Sequence, residues 1–197
     1  MKKLPLILFS LFFLNSSSVF SDELSDFEVL GMSIGDSLLD FMPEVDILYG
    51  IEKYKNSNRY SYLKEPHKFL EITVPGKKNY LYDGAEVFIK NTVPQNFTIH
   101  AIRAHTVFIE DFDACIKRRN QIVEILTNFF PDAKTGSLID EDNEGIIDNF
   151  SLGNSERIID VNCLDVEETY RLNNNSKEGL ELVIRNKEFS DWALNSK

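Results

Sequence analysis

The sequence predicts a single α+β domain with an antiparallel sheet. One observation is a set of short segments in which apolar and polar residues alternate, as they do in half-buried strands. A second is a long amphipathic segment, at helical spacing, that lies between two groups of these strands. This order favours an antiparallel sheet over parallel βαβ units, so we expect one face of the sheet to be covered by the long helix and by short terminal helices.

The N-terminal part of the domain predicts a short strand and two short helices. Residues 27–30 suit a strand, and residues 34–41 place apolar side chains at helical spacing. Ser33 and Asp36 form a capping box before this helix, and Pro43 ends it because proline cannot donate a backbone hydrogen bond. The apolar residues of the second helix are Val45, Leu48, Tyr49 and Ile51.

Three strands are predicted next, over residues 69–74, 80–90 and 97–109. In the third strand, strict alternation places Arg103 on the same face as the apolar residues. Burying an unpaired charge is unfavourable, so we expect a bulge near Ala104 that changes the direction of the side chains.

The strongest helix pattern of the chain covers residues 112–130, which carry an apolar stripe along one side. Asp111 caps the start of this helix, and Pro131 ends it. Residues 132–149 are polar and predict a loop.

The C-terminal part of the chain predicts a hairpin and a short helix. The strands of the hairpin cover residues 159–163 and 180–184, with a connection that includes the asparagines at 173–175. Apolar residues within 189–193 have helical spacing and would dock the C-terminus on the sheet.

The N-terminus has the layout of a secretory signal peptide. Lys2 and Lys3 precede an apolar stretch, and small residues lead up to Ser21. This pattern predicts a signal peptide over residues 1–21 and a single domain over residues 22–197. No cysteine follows the predicted cleavage site to take a lipid, so we expect a periplasmic or secreted protein with no membrane anchor after cleavage.

The chain is acidic, with a formal net charge of −11. A charge of this sign repels phosphate-rich surfaces, which disfavours nucleic acid and anionic membranes as partners. We therefore expect the partner to be an unidentified protein or a small ligand.

Cys115 and Cys163 are the only cysteines of the chain. An even number of cysteines in an exported chain favours a disulfide, and both residues fall on the core-facing side of their predicted elements. The alternative is a reactive thiol, which the absence of a CxxC motif disfavours. We expect a bond between Cys115 and Cys163.

The three histidines, His67, His100 and His105, do not predict a metal site. No HExxH motif is present, and an odd separation directs His100 and His105 to opposite faces of a regular strand. The two would share a ligand only if a bulge reversed the alternation. The sequence thus predicts no metal ligands and no cofactor.

Residues 140–148 are similar to the first part of an EF-hand calcium loop, with acidic residues at the first, third and fifth places and a glycine at the sixth. The twelfth place supplies a bidentate carboxylate in an EF-hand, and here it is Ser151. A solvated acidic loop is the simpler interpretation, and calcium binding is the alternative.

Catalytic residues are unknown from the sequence. It contains no G-x-S-x-G, P-loop or G-x-G-x-x-G motif. Carboxylates are so numerous that no catalytic pair can be selected. Four tyrosines suit either a groove for a sugar or peptide or cross-strand packing: Tyr60, Tyr62, Tyr80 and Tyr82.

Several segments of the chain carry a resemblance to a protein family. They are GMSIGDSLLDF at residues 31–41, a helical Cys115, a strand Cys163 and EFSDW at residues 188–192. On these segments the chain resembles a family of small uncharacterised secreted proteins of marine bacteria. The resemblance implies an exported α+β domain, and it assigns no activity and no functional residue.

These observations favour an exported, non-enzymatic binding or interaction domain. We expect its binding surface on the sheet near residues 80–88, where apolar and polar side chains alternate. One alternative is a hydrolase with a pair of carboxylates, which requires buried carboxylates that converge in a cleft. The other alternative is a calcium-dependent extracellular module based on residues 140–148.

Overall fold

The structure of the protein is a computed structural model. The residues that it describes are residue 24 and residues 27–76, 82–174 and 177–194. Within them the chain forms a single α+β domain, which confirms the predicted fold class. The predicted signal peptide and Tyr80 lie outside the described residues.

The described chain contains one antiparallel sheet of seven strands. These are β1 (Phe69–Pro75), β2 (Gly84–Lys90), β3 (Ile99–Val107), β4 (Lys134–Asp142), β5 (Gly145–Gly153), β6 (Arg157–Val166) and β7 (Gly179–Asn186). Their order across the sheet is β1-β2-β3-β7-β6-β5-β4. The sheet therefore consists of a three-strand and a four-strand meander, which join where β3 pairs with β7.

Four α-helices accompany the sheet in the described part of the chain. They are α1 (Glu44–Lys55), α2 (Phe112–Phe129), α3 (Glu168–Asn174) and α4 (Lys187–Leu194). The long helix α2 connects the two meanders and packs on β5, β6 and β7. Its start is capped as the sequence predicts, because the Asp111 carboxylate accepts a hydrogen bond of 3.1 Å from the Ala114 amide.

The first face of the sheet is apolar, and α1 and α2 cover it. Each of the five inner strands contributes a side chain that is at most 1% exposed, and examples are Val87, Ile102, Leu182, Val161 and Leu152. Helix α1 adds Ile47 and Ile51 to this core, and α2 adds Ile122 and Leu126. Burial of apolar surface on this face supplies most of the stabilising free energy of the fold.

The predicted disulfide is present and ties α2 to the sheet. Cys115 in the first turn of α2 is bonded to Cys163 on β6, with a distance of 5.9 Å between their Cα atoms. Both cysteines are fully buried on the first face.

The second face of the sheet is covered by α4 at one end. Phe189 and Trp192 of α4 pack on Phe69, Phe88 and Ala101, with 5.2 Å between the ring centroids of Phe69 and Phe189. The indole nitrogen of Trp192 donates a hydrogen bond of 2.8 Å to the carbonyl of Glu65. Beyond this aromatic cluster, the second face carries polar and charged side chains.

The prediction of a loop over residues 132–149 is wrong, because β4 and β5 form a hairpin there. In its turn, the Asp142 carboxylate accepts hydrogen bonds from the amides of Glu144 and Gly145, at 2.8 and 3.2 Å. Gly145 has a φ of 145°, which favours glycine. Every residue of β4 is exposed, so this strand has no buried face and no apolar alternation for the sequence to display.

The helix predicted over residues 34–41 is reduced to a 3-10 turn, Leu38–Asp40. The Asp36 carboxylate does accept a hydrogen bond of 2.8 Å from the Ser33 amide, as in a capping box. The amide of Gly35, however, donates to the carbonyl of Ile99 at 2.9 Å. Pairing with the start of β3 thus replaces the helical hydrogen bonds of this segment.

Helix α1 is present, but of its four predicted apolar residues only Ile51 faces the core. Ile47 and Ile51 are buried, whereas Val45, Leu48 and Tyr49 are exposed. The helix lies close to β1, because a Cβ added at Gly50 would meet the Ile72 side chain at 3.2 Å. The glycine position therefore orients α1 on the sheet.

The bulge of β3 lies at His100 and not at Ala104. Phe88 pairs with Ala101, and Ile89 pairs with Ile99, so His100 is the additional residue. The shift directs Arg103 to the second face while Ile99 stays in the core. A bulge is therefore present in β3, but the sequence placed it at the wrong residue.

The two strands of the predicted C-terminal hairpin, β6 and β7, do pair antiparallel. Their connection contains the short helix α3, which the sequence did not predict. Among the described residues, none of the helices has the length and apolar character that a membrane crossing requires.

Candidate functional site

A cleft of about 620 Å³ lies on the second face of the sheet, within the size range of small-ligand pockets. Its floor consists of Glu86 on β2, Arg103 on β3 and Glu181 on β7. One wall is the segment before β1, with Arg59, Tyr60 and Tyr62. The opposite wall is the β4–β5 hairpin and the end of β6, with Asp140, Asp142, Glu144 and Asp165.

Arg103 lies at the centre of the floor and is held from two sides. Its Nη1 donates a hydrogen bond of 3.0 Å to the Tyr60 hydroxyl, and its Nε is 3.2 Å from Oε1 of Glu181. The guanidinium lies 5.4 Å from the centre of the Phe88 ring, in cation–π geometry. The Tyr60 hydroxyl in turn donates to Oε2 of Glu71 at 3.0 Å. These contacts fix the orientation of the guanidinium.

Tyr60 has an unusual backbone conformation for a residue that is not glycine. Its φ is 56°, which is the left-handed region. The ring packs against Trp192 at 5.9 Å and against Phe88 at 6.2 Å between centroids. Such a conformation persists only where surrounding contacts stabilise it, and here they place the hydroxyl at the edge of the floor.

Glu86 is a buried carboxylate on the floor, with 6% of its side chain exposed. Its Oε1 accepts a hydrogen bond from the Lys177 ammonium. Its Oε2 has no hydrogen-bond partner among the described residues, and His105 Nδ1 lies 3.7 Å from this atom. A buried oxygen without a partner loses its solvation, so this atom is suited to accept a hydrogen bond from a ligand.

Hydrogen bonds continue from the floor across the second face. The Asn162 side chain donates to Oε2 of Glu181 at 3.2 Å, and the Asn149 side chain donates to Oδ1 of Asn162 at 2.5 Å. Further along, the Ser151 hydroxyl donates to Oδ1 of Asp160 at 2.6 Å. These contacts link β7, β6 and β5 and hold Glu181 in place beneath the cleft.

The wall formed by the hairpin and β6 is acidic. In the described part of the chain, its four carboxylates form no ion pair with Lys, Arg or His, and they are Asp140, Asp142, Glu144 and Asp165. The cations of the cleft are already paired, since Arg59 contacts Glu71, Arg103 contacts Glu181 and Lys177 contacts Glu86. The cleft therefore has an excess of negative charge.

The protonation of the floor follows from burial and from its ion pairs. Burial raises the pKa of the Tyr60 hydroxyl to about 12. Burial opposes the charge of Arg103, but the Glu181 carboxylate and Tyr60 outweigh it and raise the pKa of the guanidinium. Burial lowers the pKa of His105, and the Lys177 ammonium lowers it further. At neutral pH the floor thus presents a charged arginine and a neutral tyrosine.

The structure places the predicted candidate residues in different regions. Cys115 and Cys163 form the disulfide, and the described chain contains no free cysteine. His67 is exposed, and His100 lies 2.9 Å from the Asn186 side chain, far along the second face from the cleft. His105 lies beside the cleft, where its Nδ1 is 3.1 Å from Lys177 Nζ. Because an ammonium only donates, Nδ1 of His105 accepts this hydrogen bond.

The acidic segment over residues 140–148 belongs to the β4–β5 hairpin. This hairpin lacks the helix–loop–helix geometry on which the EF-hand alternative depends. Asp148 is instead paired with Arg119 of α2 at 2.9 Å. Among the described residues, no group of three or more His, Cys, Asp or Glu is arranged to hold a metal ion.

Sequence reasoning missed most of the floor. The available signal was Arg103, a charge that conflicts with the alternation of its strand. Such conflicts between local pattern and fold occur preferentially at functional or strained sites. Glu86, Lys177 and Glu181 gave no signal, because each occupies an ordinary polar position.

A second cleft of about 730 Å³ lies between α1 and the outer edge of β1. Its lining includes Tyr49, Lys53 and Val74, and it reaches Gly76, the last described residue before the interruption at residues 77–81. Its buried carboxylate, Glu71, is already paired with Arg59, and none of its lining residues has a buried polar atom without a partner among the described residues. We therefore base the functional argument on the cleft of the second face.

No protein-family model, curated protein or solved structure matches this chain. The fold and the cleft define the class of molecule by themselves: an α+β domain with one sealed apolar face and one open polar face that carries a cleft.

Proposed function

We propose that the protein is a binding protein that holds a small ligand or a short peptide in the cleft of the second face. The cleft collects charged groups from β2, β3, β7 and the segment before β1, which are distant in sequence. Convergence of a few polar groups in a cleft of this size is typical of ligand-binding sites.

The observation that carries the proposal is an unsatisfied polar atom on the floor. Glu86 Oε2 is buried and has no hydrogen-bond partner among the described residues. Buried polar atoms in folded proteins are nearly always hydrogen-bonded. A ligand with a hydrogen-bond donor would satisfy this atom.

The geometry favours binding over turnover. Each buried carboxylate of the second face contacts a cation: Glu71 contacts Arg59, Glu86 contacts Lys177 and Asp160 contacts Arg185. A hydrolase of the carboxylate type needs a carboxyl group that is free to act on the substrate as a general acid, whereas a cation already engages each of these groups. The buried carboxylates are therefore better suited to recognition than to acid catalysis.

We further propose that the protein is exported and works in the periplasm or outside the cell. The signal-like residues 1–21 and the disulfide both support this location, because disulfides persist in oxidising compartments. Mass spectrometry of the exported protein tests the proposal, with a chain that begins at Asp22 as the expected result. A chain that retains Met1 or carries a lipid would contradict it.

The binding proposal is tested by nuclear magnetic resonance on the oxidised mature protein. Pools of small metabolites and short peptides are added, and backbone amide shifts are followed. We expect shifts of residues that line the cleft, such as Arg103 and Asp165, and loss of these shifts in Arg103→Met. Asp191→Asn, at an exposed position of α4, is the control and retains them.

Analysis of each bound ligand after long incubation separates binding from turnover. Recovery of unchanged ligand is expected. Steady conversion of the ligand, abolished by Glu86→Gln, would establish the hydrolase alternative and overturn the proposal, and so would the absence of any ligand that shifts cleft residues.

A further inference from the structure

We propose that the ligand of this cleft is an organic cation, with an amine or guanidinium group that binds at Glu86. This inference rests on the proposed function and specifies the chemistry of the ligand. Polyamines and peptides with a basic residue or a free N-terminus carry such groups.

The distribution of ion pairs gives the cleft its preference for positive charge. Six carboxylates and three cations line it, and each of the three cations is already paired with a carboxylate. The four carboxylates of the acidic wall form no ion pair with any described residue. Low-dielectric walls concentrate the field of such charges inside a cleft, which raises the local concentration of cations.

Glu86 provides a second and independent observation that a donor is missing. Its side chain is more than nine-tenths buried on the floor of the cleft, and Oε2 has no hydrogen-bond partner among the described residues. An ammonium or guanidinium donates charge-assisted hydrogen bonds, which are stronger than neutral ones. A cationic group at this atom would remove its desolvation penalty.

The tyrosine wall complements the acidic wall. Tyr62 is 72% exposed, and its ring centroid lies 6.2 Å from that of Tyr60. Exposed aromatic faces attract cations through the ring quadrupole. A long cation such as a polyamine can therefore contact Glu86 with one end and lie between the tyrosines and the acidic wall.

A metal ion fits the cleft less well than an organic cation. In the described part of the chain, no three carboxylate, histidine or cysteine side chains are arranged as metal ligands. Hard divalent cations take several oxygen ligands at short distance. One unpaired buried oxygen and an acidic wall with aromatic rings opposite it suit an ammonium group instead.

The test uses spermidine as the probe and a linear diol of similar length as the uncharged control, followed by amide shifts of the oxidised mature protein. We expect spermidine to shift cleft residues and the diol to leave them unchanged. Affinity for spermidine should fall as salt rises from about 50 to 300 mM, because salt screens the interaction.

Two variants of buried carboxylates distinguish binding in the cleft from attraction to the overall negative charge of the protein. Glu86→Gln should weaken spermidine binding by about tenfold, because it removes the charge from the proposed acceptor. Asp160→Asn is the matched control, since Asp160 is 3% exposed on the same face and paired with Arg185 but outside the cleft. It should leave the affinity unchanged.

A pair of variants on the acidic wall keeps the test valid if Glu86→Gln does not fold. Asp140→Asn with Asp165→Asn should weaken binding by about threefold, whereas Asp113→Asn with Asp132→Asn, which has the same change in charge away from the cleft, should not. Equal losses in both double variants, or shifts spread over the whole surface, would show nonspecific attraction and overturn the inference.

The experiment distinguishes failure of this inference from failure of the proposed function. If neutral or anionic compounds bind the cleft and spermidine does not, the ligand class is wrong and the binding function stands. If no compound of any charge shifts the cleft residues, both proposals are wrong.

Discussion

The two faces of the sheet differ in how their side chains are stabilised. On the first face, Ile102 of β3 is fully buried under the helices, and the Cys115–Cys163 bond fastens α2 to β6. On the second face, the next residue of the same strand, Arg103, lies in a network of ion pairs and hydrogen bonds. Two adjacent residues of one strand thus lie in different environments, the apolar core and the charged floor of the cleft.

This difference shows how a small domain can keep its stabilising apolar core apart from the face that carries a cleft. Apolar burial is the main favourable term in folding, and it is concentrated on the first face. The second face keeps buried charges that are individually paired, an arrangement that contributes little stability and holds side chains in defined positions. A cleft on the second face can therefore change its chemistry without loss of the core.

The largest expected effect comes from removal of the disulfide. The double variant Cys115→Ala with Cys163→Ala should lower the free energy of unfolding by about 4 kcal/mol, because the bond closes a loop of 48 residues. Urea denaturation measures this change. Reduction of the natural protein should give a similar loss, and equal stability of oxidised and reduced protein would contradict the structural role of the bond.

The neighbours Ile102 and Arg103 give the sharpest comparison of the faces. Ile102→Ala should cost about 3 kcal/mol, because it leaves a cavity in the core. Arg103→Met should cost about 1 kcal/mol, since the methionine keeps the packing on Phe88 and the removed ion pair is partly exposed. Thermal denaturation of both variants tests the order. A larger loss for Arg103→Met would mean that the second face carries the stability.

The two half-buried histidines of the second face, His100 and His105, should make stability depend on pH. Burial lowers the pKa of both His100 and His105 below the ordinary value of 6.5. Below pH 6.5 the unfolded chain therefore binds more protons than the folded chain, and the free energy of unfolding falls as the pH falls toward the folded-state values.

Urea denaturation at several pH values measures this slope, which is at most about 1.4 kcal/mol per pH unit for each histidine. The groups that face His105 are Lys177, Glu86, Asp83 and Glu181. His105→Gln should flatten the profile below pH 6.5, and His67→Gln at an exposed position is the control. An unchanged profile in His105→Gln would contradict the prediction.

The smallest effect is expected at the exposed hairpin. Leu138 on β4 is 63% exposed, so Leu138→Gln should change the free energy of unfolding by less than about 0.5 kcal/mol. Denaturant titration checks this value. A clear loss would show that β4 is covered in solution by another molecule.

The fold was largely predictable, because its strands and α2 display local patterns. Alternation in β1 and β7, the stripe of α2 and its Asp111 cap all depend on neighbouring residues, which a sequence shows directly. Strand β4 was missed because no residue of it is buried. The core-facing side of α1 was misassigned because α1 offers apolar residues on more than one side.

The candidate site was predictable only in part. The sequence located the conflict at Arg103, but the position of the bulge at His100 depends on the pairing of β3 with β2. The expected surface near residues 80–88 contains Glu86, which is part of the floor. Tyr60 and Tyr62, which the sequence offered for a groove, line one wall of the cleft. Lys177 and Glu181 come from distant parts of the chain and were not suggested by the sequence.

The sequence by itself determined the class of fold, the disulfide and the separation of apolar from polar positions along β1, β2, β6 and β7. These follow from periodicity and composition, which are local properties. The tertiary structure alone decided which polar residues meet in the cleft. Glu86, Arg103, Lys177 and Glu181 come together through strand order and register, and side-chain contacts between residues far apart in the chain leave no periodic trace in the sequence.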